Sequence, residues 1–284
     1  MTQRKEETGY FSSFDGTKLF YRAWEKETPY SLIVVHGFGE HSGRYRELIE
    51  ALGDLPLSIF THDLRGHGHS EGERVFVQSF DYFVKDLSAF RTFIESQKRV
   101  PTRHFILLGQ SLGGLIATSA VLETQAQWQA LILLSPFFGV PYAHSLLRGL
   151  VFFINLFAPK KVWKNPIRPV FLTHDLEETE RYKRDALVQR QITMHLVREM
   201  FRGCALANMR VQEISLPVLL LAGGEDHIVS LKKTKEVFKK ISSHDKKIRV
   251  FDGFYHELLH EKDRKQLIGI LRDYLADRIQ AGLH

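Results

Sequence analysis

Cysteine is nearly absent from this chain. Cys204 stands alone among 284 residues, which excludes an intramolecular disulfide and fits a reducing compartment. No uninterrupted apolar run approaches the roughly eighteen residues that a spanning helix needs. The stretch from Met1 to Tyr10 is charged and lacks an apolar h-region, so no signal peptide is expected. Internal repeats and low-complexity segments are missing too. The expectation is a cytoplasmic globular protein whose membrane contact, if any, is peripheral.

Positive charge is in modest excess at +6, with clusters at Lys160, Lys161 and Lys164 and between Lys232 and Lys240. Such clusters can meet an anionic membrane surface or nucleic acid, but most are solvated helix faces. With no nucleic-acid fold signature, no nucleic-acid partner is expected.

What the chain does have is apolar residues, 44% of the total. That is enough for one large domain with a full core. Leu19 to Trp24 alternates like a strand, and Leu32 to Val35 reads as a buried strand ending at His36-Gly37. Helical spacing over Tyr45 to Leu52 precedes a strand at Leu57 to Thr61. Phe80 to Gln97 is a long amphipathic helix, and Pro101 breaks the chain before a short strand at Phe105 to Leu108. Leu112 to Leu122 reads as a buried helix and Ala130 to Leu134 as the next strand. Later come strands at Val218 to Ala222 and Lys247 to Phe251, with Lys232 to Ile241 helical between them and Gln266 to Ile279 as a closing helix. This alternation implies a mainly parallel sheet with helices on both faces. Between Pro136 and Leu216, about eighty residues show helical pattern and no clear strand, too many for a loop in a compact domain. The organisation expected is a core of residues 1–136 and 216–284, with 137–215 a helical cap inserted over the catalytic edge.

Gly109-Gln110-Ser111-Leu112-Gly113 joins a predicted strand to a predicted helix. A serine on so sharp a turn projects its hydroxyl at the top of the sheet, and the flanking glycines avoid collisions that a Cβ would cause. The hydroxyl is a poor nucleophile until a base takes its proton, and the base needs a third group to orient it. In this arrangement the order is Ser, then Asp or Glu, then His, each in a loop after a strand. Gly223-Gly224-Glu225-Asp226-His227 and Asp252-Gly253-Phe254-Tyr255-His256 follow the two late strands. Asp226 and His256 are therefore the expected partners of Ser111. Glu225 competes for the acid, and His244 or His260 for the base. His244 precedes its strand, on the wrong edge of the sheet. Acyl transfer also needs donors for the oxyanion. The backbone N–H groups of Leu112, after the nucleophile, and of Phe38, in His36-Gly37-Phe38-Gly39, have the required positions.

His256-Glu257-Leu258-Leu259-His260 also matches a zinc-protease pattern. No third ligand is marked downstream and the metzincin continuation is missing, so no metal is expected. His62, His67 and His69 are read as part of a loop packed beside the site rather than as ligands.

The chain resembles the monoglyceride lipase and lysophospholipase family of the α/β-hydrolases over nearly its whole length. The most specific match is His36-Gly37-Phe38-Gly39-Glu40-His41-Ser42-Gly43-Arg44-Tyr45. Asp63-Leu64-Arg65-Gly66-His67-Gly68-His69-Ser70 matches a signature shared more widely among α/β-hydrolases. The resemblance implies an α/β-hydrolase fold and a serine esterase, without a cofactor, acting on single-chain glycerolipids. It also implies that Arg44 and a cap glutamate, Glu178, approach the polar head of the substrate. Lysophospholipase and general carboxylesterase activities remain open, as do peptidase and acyltransferase uses and a catalytically silent binding module. Within the cap, Leu146 to Phe157 is densely apolar, with Lys160, Lys161 and Lys164 following. It reads either as a buried cap helix or as one that lines an acyl tunnel and dips into a bilayer surface.

Overall fold

The computed structural model describes residues 5–97, 104–141 and 145–281. Its centre is an eight-stranded sheet in the order β1-β2-β4-β3-β5-β6-β9-β10. These strands are β1 (Glu7–Ser12), β2 (Lys18–Trp24), β3 (Tyr30–Val35), β4 (Ser58–His62), β5 (His104–Gln110), β6 (Ala130–Leu134), β9 (Val218–Gly223) and β10 (Lys246–Phe251). The first two are antiparallel to their neighbours, and the rest run parallel. The protein is an α/β-hydrolase fold, with its helices on both faces of the sheet.

Both faces are dry at the centre of the sheet because β3, β5, β6 and β9 are apolar and buried along most of their length. Ile33 and Val35 enter one core with α2 (Asp81–Gln97), α3 (Leu112–Thr124) and α7 (Leu231–Lys240). Leu32 and Val34 enter the other with α1 (Arg46–Ala51) and α8 (Arg264–Ala281). Covering helices on both sides remove the polar alternation that a half-exposed strand would show.

Between β6 and β9 lie α4 (Ser145–Phe157), β7 (Val162–Lys164), α5 (Leu176–Arg184), β8 (Gln191–Thr193) and α6 (Met194–Arg210). This segment is not purely helical: β7 and β8 pair antiparallel. Three residues are too few to establish a period-two pattern, which is why the sequence shows no strand there. Leu196, Met200, Cys204 and Ala207 of α6 join the core of α2 and α3, whereas Leu172, Tyr182 and Val188 form a small cluster of their own. Among the described residues no helix is long and apolar enough to cross a membrane.

Candidate active site

Ser111 is the single residue between β5 and α3, and it turns the chain with φ 52° and ψ −117°. A non-glycine residue holds such a conformation only when its surroundings impose it. Its N–H donates to the Leu134 carbonyl at 3.0 Å, and its own carbonyl accepts from Leu115 N–H at 3.2 Å and Phe137 N–H at 3.0 Å. The motif's glycines answer to space. A Cβ on Gly109 would lie 2.3 Å from the Gly113 carbonyl oxygen, and one on Gly113 would lie 2.1 Å from that of Val35.

The loops after β9 and β10 bring Asp226 and His256 together. His256 Nδ1 lies 2.8 Å from Asp226 Oδ2. The other Asp226 oxygen accepts from the Ile228 and Val229 N–H groups at 2.8 and 2.9 Å. Burial works against the Asp226 charge, but His256 and these donors outweigh it and hold the carboxyl below its ordinary range. Burial likewise disfavours the imidazolium, and Asp226, by charge and hydrogen bond, reverses the balance and raises the His256 pKa. With Nδ1–H given to Asp226, Nε2 remains for a proton arriving from the cavity that Ser111 and His256 both line. The Ser111 hydroxyl makes no hydrogen bond among the described residues. Such bonds often tighten only once substrate is seated. Glu225 and His244 are exposed, and His260 is engaged elsewhere.

The loop after β3 packs against Ser111, since a Cβ on Gly37 would sit 3.3 Å from the serine Cβ. The Phe38 and Leu112 N–H groups have no acceptor among the described residues. Glu40 holds this loop: Oε2 accepts from Gly37 N–H at 2.9 Å and from the Tyr45 hydroxyl at 3.2 Å, and Oε1 from Arg44 Nε at 3.1 Å.

Arg44 and Glu178, the residues expected near the polar head of the substrate, are both held in ion pairs. Arg44 is buried behind Glu40 and Glu257, donating to Glu257 Oε2 at 2.5 Å, with its guanidinium 5.0 Å from the centre of the Tyr182 ring. Glu178 accepts from Arg181 at 2.9 Å within α5. Neither is among the residues lining the cavity; Glu40 and Glu257 are. Sequence reasoning placed neither glutamate at the site, although both lie inside motifs it singled out.

The zinc-protease pattern does not form its helix. Leu258–His260 is a 3-10 turn, so the two histidines do not share an α-helical face. Glu40, Glu257 and His260 do bring ligand atoms within 4.8 Å of one another, but the Arg44 guanidinium bonds to both carboxylates. A cation already occupies that position. EDTA should therefore leave turnover unchanged; a chelator-dependent loss restored by zinc would contradict this.

Behind the site lie three buried histidines. His36 accepts from Leu64 N–H at 2.9 Å, so its Nδ1–H donates to the Gly37 carbonyl at 2.8 Å. Both ring nitrogens of His62, and Nε2 of His67, lack a partner among the described residues. Burial lowers their pKa values to about 4, 3 and 3 respectively. Unfolded, each would titrate near 6.5. The unfolded chain thus binds more protons below pH 6.5, and stability is lost as pH falls through that value. Each such histidine costs on the order of 1.4 kcal/mol per pH unit between the two pKa values. His256, with its raised pKa, offsets part of this. The melting temperature should fall steeply between pH 6.5 and 4.5, and His62→Phe should move that decline to lower pH. A flat profile over this range would contradict the assignment of neutral buried histidines.

Comparison with known proteins shows the family. The family model described as serine aminopeptidase, S33, matches residues 27–263. Monoglyceride lipase of Rattus norvegicus is 33% identical over 252 residues, covering 87% of this chain and 82% of that protein. The chain belongs to the monoglyceride lipase family of α/β-hydrolases. An Escherichia coli relative, the uncharacterized protein YnbC, is 28% identical over 268 residues, 90% of this chain but only 44% of that protein's length. The crystal structure of Paleococcus ferrophilus monoacylglycerol lipase superposes on this family member with a TM-score of 0.83 at 27% identity, covering 92% of this chain and 99% of that one.

Proposed function

We propose that this serine hydrolase cleaves the carboxylic ester of single-chain glycerolipids, monoacylglycerols foremost. One observation carries the reading. Ser111 and His256 open onto a cavity of about 500 Å³ whose walls include Phe137, Val151, Met194, Val197, Met200 and Phe201. This is the size and polarity of a small-ligand site, with a few polar groups at the reacting end. Its apolar walls suit a single acyl chain.

In this mechanism His256 Nε2 takes the Ser111 proton as Oγ attacks the ester carbonyl carbon. The Phe38 and Leu112 N–H groups hold the oxyanion, and Asp226 steadies the imidazolium. Collapse breaks the bond to the alcohol, which leaves with the proton from His256. Water, deprotonated by the same nitrogen, then releases the fatty acid. The test is a panel of monoacylglycerols, lysophospholipids, diacylglycerols and short p-nitrophenyl esters. Highest kcat/KM on monoacylglycerols supports the reading, and activity confined to short esters overturns the substrate. Failure to hydrolyse any ester or to react with a fluorophosphonate would support the silent binding module.

Residues 137–215 act in this reading as a cap anchored by α6, with α4 as the contact to a lipid surface. Val151 of α4 lines the cavity, while Leu150, Phe153, Leu156 and Phe157 of the same helix are exposed. The side chains of Leu146 and Phe152 lie outside the described residues. Trp163 is also partly exposed, with Lys161 4.7 Å from its ring centre. Lys160 pairs with Glu73 at 2.8 Å. An apolar helix face with flanking lysines fits an anionic bilayer surface. Phe153→Ser with Phe157→Ser should weaken vesicle binding by about tenfold or more, given roughly 1.5–3 kcal/mol per fully buried side chain. The ratio of kcat/KM for long over short esters should fall with it, and added salt should weaken binding further. An unchanged ratio with folding intact would make α4 a packing element only.

A further inference from the structure

Glu40 and Glu257 both line the cavity, yet their hydrogen bonds are unequal. Both oxygens of Glu40 are occupied by Gly37, Arg44 and Tyr45. The donors to Glu257 converge on one atom. Oε2 accepts from Arg44 Nη2 at 2.5 Å and lies 3.1 Å from His260 Nδ1. Oε1 has no donor among the described residues. The residue is only 3% exposed. Burial opposes its charge, but Arg44 and His260 outweigh burial and lower its pKa to about 2. A buried, ionised carboxylate oxygen is costly unless something donates to it. Here the neighbouring space is the substrate cavity.

Its place in the chain says which part of the substrate that would be. Glu257 directly follows His256, and its N–H is fixed to the Leu172 carbonyl at 2.8 Å. In the mechanism above, His256 hands its proton to the leaving alcohol, so the alcohol departs beside Glu257. Two carboxylates stand at this end against the one guanidinium of Arg44. Arg168, which does line the cavity, is exposed and lies over the Phe171 ring at 5.3 Å.

We infer that Glu257 Oε1 accepts a hydroxyl of the leaving alcohol, so that Glu257 selects esters of uncharged polyols over phosphate-bearing ones. This rests on the ester-hydrolase reading above and adds the residue that sets its head-group choice. A hydroxyl fills the missing donor position. A phosphate there would set further negative charge against two carboxylates that share the single guanidinium of Arg44.

The test uses one fatty acid in three forms: its monoacylglycerol, its methyl ester and its 1-acylglycerol phosphate. Wild type should prefer the monoacylglycerol over both others. In Glu257→Gln, the ratio of kcat/KM for monoacylglycerol over methyl ester should fall about ten- to hundredfold, the range for a hydrogen bond to a charged group. General damage from the loosened Arg44 pair cancels in that ratio. Glu257→Asp, which keeps the charge but withdraws the carboxylate by one methylene, should lower the same ratio and decides the matter if the glutamine variant fails to fold. A ratio within about twofold of wild type in a folded variant, or a wild-type preference for the phosphate, overturns the assignment. If wild type hydrolyses none of the three, it is the ester-hydrolase reading itself that fails.

Discussion

Ser111→Ala is expected to fold like the wild type and to lose at least about a thousandfold in kcat. The substitution removes one oxygen from a partly exposed position and leaves the backbone bonds of the turn in place. Alanine meets the same positive φ that serine already tolerates at 52°, so the melting temperature should move little. What remains are the oxyanion donors and the cavity, which can bind an ester without attacking it. If the variant keeps more than a few per cent of wild-type turnover, Ser111 is not the nucleophile.

Asp226→Asn should be nearly as severe, with a loss of about ten-thousandfold in kcat by the behaviour of such triads. Oδ1 accepts two backbone N–H groups and Oδ2 meets His256 Nδ1. An amide can satisfy only one of these sides as an acceptor. With its oxygen toward the backbone, its NH2 faces Nδ1 and selects the tautomer that carries the proton on Nε2, where the base is needed. Loss of the charge also removes what raises the His256 pKa, so the acidic limb of the residual kcat/KM profile should move to lower pH. Glu225→Gln alters an exposed side chain and should cost no more than about twofold. The opposite ranking of the two variants would move the acid to Glu225.

Much of the fold was legible in the sequence because the buried parallel strands are short apolar runs ended by glycine or proline. β3, β5, β6 and β9 are buried at nearly every position. β1 gave no such signal: it is an edge strand with most of its side chains exposed. The turn at Ser111 and the loops carrying Asp226 and His256 were legible because residue type, order and strand position coincide there. Glu257 was hidden for a different reason. Its neighbours in space, Arg44 and Glu40, stand more than two hundred residues away in sequence, and the local pattern pointed to zinc. The same distance concealed that Arg44 is spent on two carboxylates. A motif shows which residues are present, whereas pairing across the sheet decides which of them remain free.

If Ser111 carries the acyl group of a single-chain ester in this cavity, a reagent that mimics such an ester should label Ser111 and compete with substrate. The most direct measurement is intact-protein and peptide mass spectrometry after reaction with a long-chain alkyl fluorophosphonate, with and without excess monoacylglycerol. One adduct per chain, located on Ser111, is expected, with labelling slowed when the monoacylglycerol is present. An adduct on another residue, or labelling of Ser111 that monoacylglycerol leaves unslowed, would contradict it.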